Sequence, residues 1–301
     1  KILIYGLGLS GKACFNFLKK SNDVKIYDDY ADTLPIKYKK YFLSKKSLIK
    51  YNFNYIVVSP GINILNCNIS NFLHNNKRKI ISELDIFHLF NPLNKKITIT
   101  GTNGKSTTAK LIYDIMRKSN KDVRLVGNIG LPLLKEKNIK NKTEFVIEAS
   151  SYQIEYSKYF KTDIAVITNI YPDHLERHKT FLNYAKTKFK LIQFLNKNGI
   201  AIIKKNNTIL ENLIKKNNIK NNILRIKSNP NKKILKQIKN NYFNNINNLE
   251  NLNFCIELSK LLRIKNKNIV KTANSFVELP YRQQVIFDNK KLLIMNDSKS
   301  T

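Results

Sequence analysis

Residues 100–107 read TGTNGKST, between an apolar run at residues 97–100 and a helically spaced segment at residues 107–118. Small residues such as Gly101 and Gly104 let successive backbone N–H groups turn inward onto phosphate oxygens. The helix that follows adds a favourable dipole. Lys105 is placed to reach β- and γ-phosphates, and the Ser106 hydroxyl is of the kind that sits on Mg²⁺. The general phosphate loop carries a glycine five residues before Gly104. Here that position is Ile99, so the loop is the shorter Gly-x-x-Gly-Lys-Ser form. The strand before it and the helix after it set it apart from a chance glycine turn. A P-loop-type ATPase domain is expected, its sheet mainly parallel and flanked by helices, with ATP and Mg²⁺ as ligands.

Towards the N-terminus a second glycine pattern appears. Residues 2–5 are apolar, Gly6, Gly8 and Gly11 give G-x-G-x-x-G, a helical pattern runs to about residue 20, and residues 24–27 read as a strand followed by Asp28. This is the pattern of a Rossmann-like domain with a diphosphate on the helix N-terminus. An NAD-dependent oxidoreductase is one reading. A UDP-linked substrate satisfies the same glycines, and hydride transfer has no evident use for the loop at residues 100–107. Glycines serving tight packing alone are a third reading. Further strands are expected at residues 55–59 and 80–81, completing a small unit of alternating strands and helices.

Towards the C-terminus, Glu148 ends a strand at residues 145–148, where a metal-binding acid belongs in such a sheet. Ser150 and Ser151 follow. A strand at residues 164–168 leads to Asp173 and His174 within NIYPDHLERH. A lone histidine is more often structural, yet here a carboxylate adjoins it at a strand end. The helix expected at residues 181–195 places Lys188 among Tyr184, Ala185, Leu191 and Ile192. A lysine on an apolar stripe needs a partner or an altered charge, unless it snorkels. Residues 204–251 are rich in Asn and Lys and offer no strand that can be placed. Residues 284–295 read as a hairpin with Asp288 and Asn289 at its turn.

Composition bounds the rest. The chain has 301 residues, 42% of them hydrophobic, enough for two domains with a sizeable core. Cys14, Cys67 and Cys255 form no CxxC pair, which fits a reducing, cytoplasmic setting. No apolar run approaches the roughly 18 residues that span a bilayer, and no leader pattern is present. The net charge of +33 comes from lysines spread evenly among Asn and Ile, the bias of an AT-rich coding sequence, and no RNA-recognition or zinc motif interrupts them. Neither a nucleic-acid nor a membrane partner is therefore expected. The sequence opens at Lys1 on the edge of a strand and stops inside NDSKST, so both ends are expected to be truncated.

TGTNGKST, GNIG (127–130), EASSYQIE (148–155) and the Asp173–His174 pair together resemble the central domain of the Mur ligases, the amide ligases of peptidoglycan precursor synthesis. Folylpolyglutamate synthase shares much of that core. GLGLSG (6–11), SPGI (59–62), LPYR (279–282) and NDSKST (296–301) resemble the branch that takes UDP-N-acetylmuramoyl-L-alanine and D-glutamate. The resemblance implies phosphorylation of the substrate carboxylate by ATP, then attack of an amine on the acyl phosphate. It implies ATP contacts at Gly101, Thr102, Asn103, Gly104, Lys105, Ser106, Thr107, Asn248, Asn251, Arg282 and Asp297. UDP-sugar contacts are implied at Gly8, Leu9, Ser10, Asp28, Asp29, Ser59, Gly61, Asn128 and Ser150. Ser106 and Glu148 would hold one Mg²⁺; Glu148, His174 and a carbamylated Lys188 would hold a second. Lys105, Glu148, His174, Lys188 and Lys299 would carry the chemistry. The departures are Asn247 where the family has His, and Tyr281 and Gln284 within the LPHRxE pattern. The expected division is a Rossmann-like domain at residues 1–90, an ATPase domain at residues 91–280 and the start of a third at residues 281–301. A monomer is expected, with ligation requiring residues beyond 301.

Overall fold

Ile2, Leu3, Ile4 and Tyr5 are all buried, and this run of β-formers makes the strand β1 (Ile2–Tyr5). It is followed in chain order by α1 (Leu9–Leu18), β2 (Val24–Tyr27), α2 (Ile36–Lys39), α3 (Lys45–Leu48), β3 (Tyr55–Val58), α4 (Ser70–Asn75), β4 (Ile80–Ile81) and α5 (Glu83–Phe90). The chain continues through β5 (Lys96–Thr100), α6 (Lys105–Lys118), β6 (Val123–Gly127), β7 (Glu144–Glu148), α7 (Ser151–Glu155), β8 (Thr162–Ile167), α8 (Leu175–His178), α9 (Phe181–Gln193) and β9 (Leu195–Lys204). It ends with α10 (Thr208–Lys216), β10 (Asn222–Ile226), α11 (Lys232–Leu235), α12 (Ile246–Leu261), α13 (Asn266–Asn274), β11 (Gln284–Asp288) and β12 (Leu293–Asn296). This computed structural model describes all residues except 31, 33, 228–231, 283, 290 and 300–301, with only the backbone of Asp288. The last two residues of NDSKST therefore lie outside the described residues.

The chain divides into two units. The first comprises residues 1–93, 130–139 and 150–161; the second comprises residues 94–129, 140–149 and 162–301. These boundaries differ from contiguous ones at residues 90 and 280, and hydrogen bonds account for the difference. Asp85 Oδ1 accepts the backbone N–H groups of Lys158, Tyr159 and Phe160 at 2.8–2.9 Å. The Tyr156 hydroxyl donates to the Ile62 carbonyl at 3.0 Å. Leu134 N–H donates to Glu83 at 3.4 Å. Two pieces of later chain are thus fastened to the first unit.

The first unit holds a four-stranded parallel sheet in the order β2-β1-β3-β4. Strand β1 has neighbours on both sides, so the loop at its carboxyl end opens where the connections diverge, the position at which ligands bind such sheets. The core gathers Leu3, Tyr5, Ile56, Val58, Leu73 and Ile80 with Tyr156.

The second unit repeats this logic on a larger scale. Its six-stranded parallel sheet runs β10-β9-β8-β5-β7-β6. Strand β5 is central and wholly buried, with Ile99 paired to Glu148 on one side and to Val166 on the other. Helix α6 packs its Leu111, Ile112, Ile115 and Met116 into a core shared with Leu252, Cys255 and Ile256 of α12 and Ile269 of α13. The Asn-rich stretch, unplaceable from its sequence, supplies α10, β10, α11 and the start of α12, whose N-terminus is capped by the Asn245 side chain. Strand β6 has no counterpart among the sequence expectations. Strands β11 and β12 form the expected hairpin, but Asp288 pairs with Leu293 inside it rather than sitting at the turn. Among the described residues no helix is long and apolar enough to cross a membrane. All three cysteines are free.

Candidate functional site

The loop between β5 and α6 is held from below. Thr102 N–H donates to the Asn169 carbonyl at 3.0 Å, Asn103 N–H donates to Asn169 Oδ1 at 2.8 Å, and the Thr168 hydroxyl donates to the Asn103 carbonyl at 2.6 Å. Two glycines are required by this geometry. Gly101 has φ +152°, and a Cβ there would lie 1.9 Å from Thr168 Oγ1. Gly104 has φ +78°, and a Cβ there would lie 2.1 Å from Asn251 Oδ1. Lys105 is buried and donates to the Thr102 carbonyl at 2.5 Å. Burial lowers its pKa from the usual lysine value, partly offset by the charge of Glu148. Ser106 is buried one residue on.

Glu148 closes β7 next to this loop and is fully buried. Its Oε1 accepts from Asn128 Nδ2 at 2.8 Å, while Oε2 has no hydrogen-bond partner among the described residues. The GNIG segment wraps the strand end: Asn128 N–H donates to the Glu148 carbonyl at 2.9 Å, and a Cβ on Gly127 would lie 2.3 Å from that oxygen.

Lys188 is 1% exposed on α9. Its ammonium donates to the Gly101 carbonyl at 2.7 Å and lies 4.6 Å from the centre of the Tyr184 ring. Burial holds its pKa well below the lysine range. The charge of Lys105 pushes it further down, against Asp173 and Glu148. Snorkelling is therefore the wrong description. His174 caps α8 in the left-handed region at φ +52°, an uncommon conformation outside glycine. Its Nε2 is 3.5 Å from Asp173 Oδ2.

The residues present fit a divalent cation at Glu148. A buried carboxylate oxygen without a partner is costly unless something positive meets it, and the Ser106 hydroxyl is the accompanying neutral donor. Among the described residues no cluster of three or more His, Cys, Asp or Glu is poised to hold a metal. A second site at Glu148, His174 and Lys188 thus depends on Lys188 becoming an anion.

A cavity of about 320 Å³ lies over the loop. Its walls bring Asn103, Gly104 and Thr107 together with Asn248 and Asn251 of α12, Arg282 and Asp297, seven of the residues expected to meet ATP. Asn247, at the position where the family carries His, also lines it. Thr168, Asn169, Tyr171, Tyr242, Glu250 and Phe254 complete the wall and were not legible in the sequence, where they lie up to about 150 positions from the loop. Lys299 is exposed, does not line this cavity, and is tied by its own N–H to the Tyr281 carbonyl at 3.0 Å.

In the first unit Gly11 is demanded by packing, since a Cβ there would lie 1.8 Å from the Gly6 carbonyl oxygen. Gly8 is not, for nothing lies within 4 Å of a Cβ at that position. The missing side chain leaves open space at the N-terminus of α1. The Ser59 hydroxyl donates to the Gly6 carbonyl at 2.6 Å, so it shapes the loop. Asp28 is largely engaged with backbone, accepting from Leu7 at 2.7 Å and Tyr30 at 3.0 Å. Asp29 accepts the Tyr5 hydroxyl on Oδ2 at 2.5 Å, and its Oδ1 has no partner among the described residues. Leu9, Ser10, Gly61 and Ser150 belong to this unit, whereas Asn128 belongs to the second.

A phosphate loop on a central parallel strand, a buried acid on the next strand and a cavity walled by the loop and by α12 define a P-loop nucleotide-binding enzyme. Residues 99–269 match the Mur ligase middle domain. The UDP-N-acetylmuramoylalanine–D-glutamate ligase of Rickettsia felis is 31% identical over an alignment of 324 positions that covers 100% of this chain and 71% of that protein. The chain belongs to the Mur ligase family, whose members are ATP-dependent amide-forming ligases. Two solved structures share the fold. A murein peptide ligase from Psychrobacter arcticus has a TM-score of 0.58 at 15% identity, covering 98% of this chain and 72% of that one. The MurF ligase of Thermotoga maritima in complex with ADP has a TM-score of 0.53 at 16% identity, covering 84% and 64%.

Proposed function

We propose that the chain catalyses the ATP-dependent joining of D-glutamate to UDP-N-acetylmuramoyl-L-alanine in peptidoglycan precursor synthesis, acting in the cytoplasm. The observation that carries this reading is the cavity that joins Asn103, Gly104 and Thr107 to Asn248, Asn251, Arg282 and Asp297. It supports a nucleotide bound with its phosphates at the loop and its base and ribose against α12. The sequence match to D-glutamate ligases along the whole chain supports the choice of substrates. The substrate carboxylate takes the γ-phosphoryl group of ATP and ADP leaves. The amine of D-glutamate then attacks the acyl carbon, and phosphate departs as the amide forms. Lys105 steadies the transferring group, and the donors of residues 101–107 hold the phosphates.

Glu148 with Ser106, and Glu148 with His174 and Lys188, would hold two Mg²⁺ ions, which when bound supply positive charge between two anions that must approach. The depressed basicity of Lys188 suits carbamylation. Its neutral amine attacks CO₂: an N–C bond forms as one C–O π bond opens, one proton leaves to water, and the neutral amine becomes a carbamate anion. In the first unit, the open space at Gly8 and the spare oxygen of Asp29 suit a diphosphate and a uracil N–H.

The direct test supplies ATP, Mg²⁺ and UDP-N-acetylmuramoyl-L-alanine with D-glutamate, meso-diaminopimelate or L-glutamate. Amide product with D-glutamate and with neither other amine, from the chain extended to the length of its relatives, is the expected result, while residues 1–301 are tested for nucleotide binding. Product only with another amine, or reduction of NAD in place of amide formation, contradicts the reading.

A further inference from the structure

The Asn-rich stretch ahead of α12 brings a large ring to the cavity over the phosphate loop. Asn241–Asn244 form a single 3₁₀ turn, and Asn240 fastens that turn to the second unit. Its Oδ1 accepts the Tyr242 N–H at 3.0 Å. Its Nδ2 donates to the carbonyls of Ala273 at 2.9 Å and Phe276 at 2.8 Å, at the end of α13 and just beyond it. The Tyr242 ring meets Phe243 edge-on with centroids 5.3 Å apart and lies 5.5 Å from the centre of the Phe276 ring. The Tyr242 carbonyl accepts Asn248 Nδ2 at 3.1 Å, which joins the turn to α12 as well. A side chain held at its backbone and against two rings has little freedom left, and Tyr242 lines the cavity.

Among the described residues, Tyr171, Tyr242 and Phe254 are the aromatic members of the cavity wall. Phe254 is 2% exposed and belongs to the core shared with α12. Tyr171 is 53% exposed, and its backbone is tied to the Thr102 hydroxyl near the start of the loop. Tyr242 is half-buried, and its hydroxyl lies 3.5 Å from Thr107 Oγ1 at the other end of the loop. It is therefore the ring that is both fixed in place and open to the cavity where the loop runs into α6. Most of the remaining wall is amide, hydroxyl or charged. Such groups make hydrogen bonds but offer no flat apolar surface, and a base binds best where it has both.

We infer that Tyr242 is a nucleoside contact of the ATP site: its ring packs against the sugar and base of the bound nucleotide, while residues 101–107 hold the phosphates. The inference rests on the reading that this cavity takes ATP. A ring face accepts the face of any base, so Tyr242 adds affinity for a nucleoside rather than a choice among bases. It adds none for the phosphate chain, which separates its contribution from that of the loop.

Calorimetric titration of the whole chain with ATP and with inorganic tripolyphosphate, each with Mg²⁺, and with UDP tests it. Tyr242→Leu keeps bulk against Phe243 and Phe276 but loses the ring. It should weaken ATP binding about tenfold, the order of one base–aromatic contact, and leave the affinities for tripolyphosphate and UDP unchanged. Tyr242→Phe, which keeps the ring, should bind ATP like the unaltered chain. The chain has no tryptophan, so Tyr242→Trp supplies a single reporter, whose emission should change with ATP and stay constant with UDP. The inference is overturned by ATP affinity indifferent to Tyr242→Leu, by an equal loss for tripolyphosphate, by the same loss in Tyr242→Phe, or by a tryptophan emission that ATP binding leaves unmoved. Should Tyr242→Leu not fold, the tryptophan reporter decides alone. Failure of the unaltered chain to bind ATP overturns the underlying reading as well, and so is distinguishable from failure of this inference alone.

Discussion

At the scale of single residues, the second unit sets two buried amines, Lys105 and Lys188, against one buried carboxylate with a spare oxygen. Among the described residues the Lys105 ammonium bonds only to the carbonyl of Thr102, three residues back in its own loop. Lys105→Ala should therefore leave the fold intact, by circular dichroism, while turnover falls by at least about 10²-fold, as expected when a group that steadies developing charge is removed. Near-normal turnover would contradict its role. Lys188→Ala should abolish activity, and added short carboxylic acids should partly restore it by lending the missing anion. A ¹³C-carbamate resonance from labelled bicarbonate, lost in that variant, is the spectroscopic counterpart. A bare amine seen beside Mg²⁺ at neutral pH would end the carbamate idea. His178 gives a prediction with a definite sign. Burial, then the charge of Arg177, depress its pKa to about 4 from the ordinary 6.5. Between those values the unfolded chain binds a proton that the folded chain refuses. The neutral form's contribution to stability is thus complete above about pH 6.5 and is lost as pH falls towards about 4. Urea midpoints taken across that window should fall with pH, and the slope should flatten in His178→Phe.

At the scale of elements, the hub is α5. Asp85 is fully buried, completes a capping box and receives three further N–H groups. Asp85→Ala would orphan those donors as well as weaken the helix start, and should cost about 3 kcal/mol of stability, combining a lost cap with buried unsatisfied groups. Urea unfolding of Asp85→Ala beside Asp85→Asn, which keeps one acceptor oxygen and should lose less, checks this. The sequence made some elements plain and hid others for physical reasons. The phosphate loop and its flanking strand and helix were legible because every part is consecutive: glycines, Lys105, Ser106, apolar strand, apolar helix stripe. Lys188 was legible because one lysine broke the apolar stripe of α9. Strand β6 was not, since Arg124 interrupts a five-residue run whose burial comes from its pairing with β7. In α12 asparagines occupy buried positions, Asn248, Asn251 and Asn253 among them, so polarity no longer marks the surface and periodicity carries no signal. Asp85 and Glu83 read as ordinary first-turn acids, because the backbone segments they hold lie some 50 to 75 residues away.

At the scale of the molecule, the chain carries two parallel sheets, each with its own core and each with a glycine loop at the carboxyl end of an interior strand flanked on both sides. The reading of this family member assigns one ligand to each loop: a UDP-linked substrate to the first unit, ATP to the second. That assignment predicts where each ligand stabilises the chain. A ligand that binds only the native state adds about 2.7 kcal/mol at a free concentration one hundred times its Kd, and the added protection falls first on the amides that open locally around its own site. Hydrogen exchange of the whole chain should then separate the two ligands. Saturating UDP should slow exchange at residues 6–11 and 28–30 and leave residues 101–107 as they are. ATP with Mg²⁺ should slow residues 101–107 and the α12 stretch around Asn248 and Asn251, with little effect at residues 6–11. NAD should protect neither set at concentrations where UDP does. The two glycine loops look alike at the level of residues, so this pattern is not guaranteed by their composition. It follows from what surrounds them: a spare carboxylate oxygen at Asp29 and open space at Gly8 in one unit, and Lys105, Glu148 and the asparagine wall in the other. Protection of residues 6–11 by ATP, or of residues 101–107 by UDP, would mean that the nucleotides have been assigned to the wrong loops.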